Sequence, residues 1–346
     1  MNLTSTRHAF MSAYLKGEES RAVTAEQIEE ILQRSSTMQD ALEIIGETDI
    51  GHYLLDQPIK TFVDADNFLW MYLGECLEHI DGFAMSRDMS GMARLYIEKY
   101  DVLNVRAALR ILQRMMPSSM IPIGKMYRGG RFQELSTLRE KDELISILGA
   151  CDLASYIPAV ENINEKDAHS VSEGEVVLQN LYHEKVLKAF RGMGDGYLLE
   201  QAFTVGIDMA NLRTVFRMSL GEGRRPAGTM ILSGGRMISE GTIQELLTMK
   251  IAETTGKLED TGYQQMAQEI AKEYEKSLDI TVIDTVMEEH GFRMLRDILS
   301  PRILSPATML WYLFIKELEI RNLRLIFKML TDRIPPAEIK DLVIAA

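Results

Sequence analysis

The sequence predicts an all-α protein made of three pseudo-symmetric helical repeats. Three observations carry this: scarce helix breakers, apolar residues at helical spacing, and one motif that returns three times. Nine prolines in 346 residues leave long stretches without a helix breaker. Alternating β-branched runs are few; Ile280-Thr281-Val282-Ile283 is a candidate strand, too isolated to build a sheet.

Taken along the chain, Ala25–Leu32 places Ile28, Ile31 and Leu32 on one helical face. Thr24 precedes them as an N-cap, and Gln27 three residues on completes a capping box. The same period recurs over Gln264–Leu278 and Ala337–Val343. Breaks are expected at Pro117–Pro122, Gly221–Gly235 and Asp332–Pro336, each rich in Gly or Pro.

The repeat is read from three segments: Asp101-Val-Leu-Asn104-Val-Arg106, Asp208-Met-Ala-Asn211-Leu-Arg213 and Glu319-Ile-Arg-Asn322-Leu-Arg324. Each reads acid-x-x-Asn-apolar-Arg, and the asparagines are 107 and then 111 positions apart. The agreement extends outward from the motif. Eight residues before each Asn stands Tyr96, Phe203 or Phe314; six after it stands Arg110, Arg217 or Lys328. A proline follows each time, at Pro117, Pro226 and Pro335. Tyr127-Arg-Gly-Gly-Arg131 further matches Leu232-Ser-Gly-Gly-Arg236, and Ile334-Pro-Pro-Ala-Glu-Ile339 echoes Val23-Thr-Ala-Glu-Gln-Ile28. These matches divide the chain into an N-terminal helix, 1–20, and repeats over 21–127, 128–238 and 239–346.

On a helical wheel with each Asn at the origin, the acid lies at about 60°, within the apolar arc. A buried carboxylate or amide needs hydrogen-bond partners. Asp101, Asn104, Asp208, Asn211, Glu319 and Asn322 are therefore expected to hold neighbouring helices or loops in place. The basic positions fall at about 200° and 240°, on the opposite face. Arg106 with Arg110, Arg213 with Arg217, and Arg324 with Lys328 are i, i+4 pairs with two readings. They form an ordinary solvated face, or they line one pore and meet an acidic partner.

Composition narrows the function classes. The formal charge of −13 is a poor match for nucleic-acid phosphates. The longest apolar run, Ala307–Ile315, contains Thr308 and stops at Lys316, far short of the about 20 residues of a membrane span. Residues 1–20 show no basic and apolar signal-peptide pattern. Cys76 and Cys151 form neither a CxxC site nor a disulfide framework, which fits a reduced cytoplasmic compartment.

Catalytic and cofactor motifs are not found. Leu232-Ser-Gly-Gly-Arg236 is similar to a nucleotide-binding signature of transporter ATPases, yet no phosphate-loop motif accompanies it. The six histidines make no HxxxH or HExxH pair, and Glu288-Glu289-His290 reads as a solvated helix edge. Gly192-Met-Gly194-Asp-Gly196 reads as a turn, and methionines such as Met115, Met116 and Met309 as core. No cofactor, metal or catalytic group is expected.

A triplicated all-helical unit ending in Lys316-Glu-Leu-Glu-Ile-Arg-Asn-Leu-Arg-Leu-Ile326 and Ile334-Pro-Pro-Ala-Glu-Ile339 resembles the C subunit of archaeal and bacterial A/V-type ATP synthases. Its eukaryotic counterpart is the d subunit of the vacuolar ATPase. The resemblance covers essentially the whole chain. The first helix departs from the pattern: Ser5-Thr-Arg-His-Ala-Phe10 keeps the Arg and an aromatic but lacks the Asn. The resemblance implies a funnel of three similar helical domains around a central cavity. It implies one copy per complex, peripheral on the cytoplasmic face of the membrane, set on the proteolipid ring and receiving the central shaft. It further implies a non-catalytic role, torque transmission, with no bound nucleotide. On this picture the three basic pairs are candidate partner-facing residues. A helical-repeat adaptor with an unrelated partner, and an enzyme with a dispersed site, are the other readings.

Overall fold

The computed structural model describes residues 3–82, 87–114, 120–220 and 231–344. Among them there is no β-strand. The helices in chain order are α1 (Leu3–Glu19), α2 (Ala25–Arg34), α3 (Met38–Ile44), α4 (Asp49–Leu55), α5 (Phe62–Gly82), α6 (Arg87–Leu112), α7 (Lys125–Arg128), α8 (Lys141–Ala150) and α9 (Ile157–Glu161). They continue with α10 (Ala168–Arg191), α11 (Gly196–Ser219), α12 (Glu240–Leu246), α13 (Ile251–Lys257), α14 (Gln264–Ser277), α15 (Thr281–Leu299), α16 (Ala307–Asp332) and α17 (Pro336–Ile339). Met115, Met116, Pro117 and Pro226 lie outside the described residues.

The chain divides into two compact units. The first comprises Met1–Leu103, Ser119–Phe132 and Arg302–Ala346; the second comprises Asn104–Ser118 and Gln133–Pro301.

In the first unit, short helices begin where the sequence supplies caps. The Thr24 hydroxyl accepts from the Gln27 N–H at 3.2 Å, and the Gln27 side chain accepts from the Thr24 N–H at 3.0 Å, closing the capping box. Thr37 and Asp40 repeat the device on α3. The long helix α16 is the axis of this unit, with α5 and α1 packed against it. Leu69, Leu73 and Leu77 of α5 and Leu313, Ile320 and Leu323 of α16 are buried. Each such side chain contributes roughly 1.5–3 kcal/mol by leaving water. Ala307–Ile315 is apolar because several helices surround it, and Trp311, Tyr312 and Leu313 are all buried there.

In the second unit, α11 packs on α10 and α15, and α14 packs on α15 and α13. Leu212, Val215 and Phe216 of α11 share one core with Ile283, Val286 and Met287 of α15 and with Tyr263. Three expectations need correction here. Ile280–Ile283 forms no strand: α15 begins at Thr281, and Ile283 is in the core. The period over Gln264–Leu278 stops one residue early, because Leu278 takes φ 55° and stands 76% exposed as the cap of α14. His290 is buried instead of solvated, its Nε2 lying 2.8 Å from the Glu269 carboxylate.

Candidate functional site

The six acid and asparagine positions of the repeat are 0 to 6% exposed. Each acid accepts from the backbone of a segment far along the chain. On α6 the Asp101 carboxylate accepts from Lys125 N at 2.8 Å and Met126 N at 3.0 Å. On α11 the Asp208 carboxylate accepts from Arg236 N at 3.0 Å, Met237 N at 2.8 Å and the Tyr263 hydroxyl at 2.7 Å. On α16 the Glu319 carboxylate accepts from Val23 N at 2.8 Å and from Lys316 Nζ at 3.0 Å.

The asparagines add a second tie one helical turn on. Asn211 donates to the Leu232 carbonyl and accepts from its N–H, both at 2.9 Å. Asn322 does the same to Ile344, at 2.8 and 3.3 Å. An amide side chain paired in both directions with one backbone residue leaves no orphan among those groups. Asn104 is as deeply buried as its two counterparts. Acid plus asparagine thus form a staple between a long helix and a connecting segment.

This geometry explains Leu232-Ser-Gly-Gly-Arg236. The stretch is the segment stapled to α11, and Gly235 lets its backbone approach Asp208. A Cβ on Gly235 would stand 2.1 Å from Asp208 Oδ1; one on Gly124 would stand 2.4 Å from Asp101 Oδ1. Gly124 is therefore the counterpart of Gly235. Matching the two Gly-Gly dipeptides instead sets Gly235 against Gly130, too far along the chain, since a shared dipeptide says nothing about which glycine meets the carboxylate.

Lys316 is a member that the wheel does not show. Fully buried, it donates to Glu319 at 3.0 Å and to the Tyr72 hydroxyl at 3.1 Å, and lies over the Tyr72 ring at 5.3 Å. The one available signal is the i, i+3 pairing of Lys316 with Glu319 in an apolar stretch. Burial pushes the Tyr72 and Tyr312 hydroxyls up and the nearby Cys76 thiol up to about 11, so all three are neutral at physiological pH.

The five arginines of the basic pairs reach across to neighbouring helices. Arg106 and Arg110 of α6 both engage Glu175 of α10, at 3.1 and 2.9 Å. Arg213 and Arg217 of α11 both engage Asp284 of α15, at 2.9 and 2.6 Å. Arg324 of α16 binds Asp66 of α5 and stacks over Trp70, whereas Lys328 pairs within its own helix with Asp332 at 2.8 Å. These side chains range from 27% exposed at Arg106 to 51% at Lys328. Arg106, Arg110, Arg213, Arg217 and Arg324 brace neighbouring helices and Lys328 braces its own, each with a partly exposed edge.

Burial shifts two acids of the motif and one histidine. It pushes Asp101 up to about 6 and raises Asp208, with backbone N–H donors pulling both the other way. Burial alone lowers His183 to about 4, among the rings of Tyr182 and Phe203. The unfolded chain then binds a proton at His183 between pH 6.5 and about 4 that the folded chain refuses. Stability from this group is present above the unfolded value and is lost as pH falls towards the folded one. A His183→Phe variant is expected to melt with a smaller drop between pH 7 and pH 4.5 than the parent. Scanning calorimetry at the two pH values checks this; an unchanged drop would exclude His183 as the cause.

A shallow groove of about 150 Å³ lies in the first unit against Met71, Gly74, Glu75, Ile123, Tyr127 and Arg128. Its polar groups make no nucleophile–base pair. Among the described residues no three His, Cys, Asp or Glu side chains cluster to hold a metal. No described helix is long and apolar enough to cross a membrane.

Comparison with known proteins matches residues 11–342 to the family model of the ATP synthase (C/AC39) subunit. The chain is 24% identical over 344 residues to the C subunit of the A-type ATP synthase of Pyrococcus abyssi, covering 98% of this chain and 90% of that one. The corresponding protein of Thermococcus kodakarensis is 25% identical over 344 residues, with the same coverage. That of Methanocaldococcus jannaschii is 20% identical over 356 residues, covering 98% and 86%.

Proposed function

The chain belongs to the ATP synthase (C/AC39) subunit family, and from this we propose that it is a non-catalytic central-stalk subunit of a rotary A/V-type ATPase or ATP synthase. In this reading it links the central shaft to the proteolipid ring on the cytoplasmic side and transmits torque between them, in one copy per complex. The three repeats over 21–127, 128–238 and 239–346 would form the walls of a funnel around a central cavity.

The observation that carries the reading is the repeated staple and brace. A coupling part must pass strain without yielding. Asp208, Asn211, Arg213 and Arg217 tie one helix to a loop and to a neighbouring helix at four points within ten residues. Close-packed helix interiors transmit strain with little compression. No bound nucleotide or cofactor is needed for such a role.

The test is a mild-detergent pull-down of the tagged chain from its own cells' membranes, read by mass spectrometry. Proteolipid, shaft and catalytic ATPase subunits are expected together in the eluate. Recovery of none of them, from cells that contain the machine, would favour a helical adaptor with another partner.

The basic pairs have a second role within the proposal. Two guanidiniums share the single carboxylate of Glu175, leaving a net positive charge on a partly wet edge. That edge suits an acidic surface of a partner. Relative to the parent, Arg110→Gln is expected to weaken recovery of the shaft more at about 50 mM than at about 300 mM salt, because added salt screens the attraction that the substitution removes. Equal recovery from parent and variant at both salts would leave Arg106 and Arg110 as internal braces only.

A further inference from the structure

The staples on α11 and α16 share the asparagine half, an amide paired in both directions with one backbone residue, but differ in chain connections. On α11 a single loop fills both halves: Leu232 sits on Asn211, and Arg236 and Met237 sit on Asp208. The loop is anchored at both ends by buried residues, Leu232 and Ile238. On α16 the halves come from segments remote in sequence: Val23 sits on Glu319, and Ile344 sits on Asn322. The covalent link that couples the two halves on α11 does not join them on α16.

We propose that the Asn322 half of the α16 staple is a latch: segment 340–344 unlocks from α16 in the folded chain, while the 232–237 loop stays locked on α11.

The hold on this segment is slight. Ile339 is buried, but Lys340 and Asp341 are exposed, and Leu342, Val343 and Ile344 are only half-buried. Beyond Ile339, the bonds among the described residues that hold the segment on α16 are the donation from Arg321 to the Leu342 carbonyl at 3.0 Å and the two Asn322 bonds. Among the described residues, three hydrogen bonds must offset the ordering of five residues with little apolar burial, which places the segment at the low end of local stability. Opening leaves Glu319 untouched, because Val23 and Lys316 satisfy it from elsewhere. It bares the Arg321 and Asn322 side of α16, including an amide able to accept from and donate to one extended backbone residue. The latch therefore governs access to that side of the helix. It does not depend on the coupling role proposed above, and its test needs no partner.

The experiment is native-state hydrogen exchange on the full chain, resolved by mass spectrometry over 340–344 and 231–238. Exchange over 340–344 is expected to be at least about 100-fold faster, and insensitive to low urea, as for local opening. Equal protection of the two segments would overturn the proposal. Paired variants supply a second readout. Asn322→Ala is expected to speed exchange over 340–344 about tenfold with the melting temperature held within about 2 °C, whereas Asn211→Ala lowers melting. A comparable loss of melting temperature in both variants would show that the two staples are equally part of the global fold.

Discussion

Gly124→Ala is expected to lose about 3 kcal/mol or more of stability, read as a lowered midpoint in urea. Two causes combine. Gly124 takes φ 111°, where a side chain is strained, and its new Cβ would stand 2.4 Å from Asp101 Oδ1. Relief requires the segment to move off Asp101, which breaks the bonds from Lys125 N and Met126 N and leaves a buried carboxylate short of donors. Gly130 also has positive φ, at 70°, yet a Cβ there meets nothing within 4 Å. Gly130→Ala is the control and is expected to cost about 1 kcal/mol, the backbone effect alone. Equal losses from the two variants would mean that the approach to Asp101 does not matter.

Lys316→Met is expected to cost about 3–5 kcal/mol, since it removes one partner of a buried ion pair and strands the other. Glu319 would keep the Val23 N–H as its donor but lose its countercharge. The Tyr72 hydroxyl would lose a donor as well. Adding Glu319→Gln should restore part of the loss, because an amide oxygen still accepts from Val23 without an unpaired charge. A double-mutant cycle measures the coupling, expected at about 1–3 kcal/mol for neighbours in one network. A coupling near zero would show that Lys316 contributes through packing and its position over the Tyr72 ring instead of through Glu319.

Much of the fold follows from short-range patterns. Thr24 and Gln27 announce the start of α2, and the structure forms that capping box. The spacing of Ile28 and Ile31 identifies the face they bury. The motif around Asn211 marks polar residues within an apolar arc, and the structure buries Asp208 and Asn211 there. Where the local pattern is ambiguous, the reading goes astray. Ile280–Ile283 is four residues long, and a run that short does not separate a strand from the first turn of a helix. Leu278 continues the apolar period of α14, but period alone does not reveal that the backbone turns left-handed at that residue.

The partners are a different matter. Nothing near Glu288-Glu289-His290 in sequence points to Glu269, which approaches from another helix. Likewise Glu175 and Asp284 are ordinary acids on helical faces until packing brings each beside two arginines.

The helical class, the capped starts and the buried side of each helix that carries the acid-x-x-Asn motif are written in the order of residues, because they depend on neighbours within a turn or two of one another. Folding in three dimensions made the remaining choices: that Gly124, not Gly129-Gly130, faces the carboxylate, that Lys316 completes the Glu319 site, and that Val23 and Ile344 share one helix. Those pairings join groups between 3 and about 300 positions apart through space, and burial selects them by the cost of leaving a polar group unsatisfied. A helical wheel says which side chain needs a partner; packing supplies the partner.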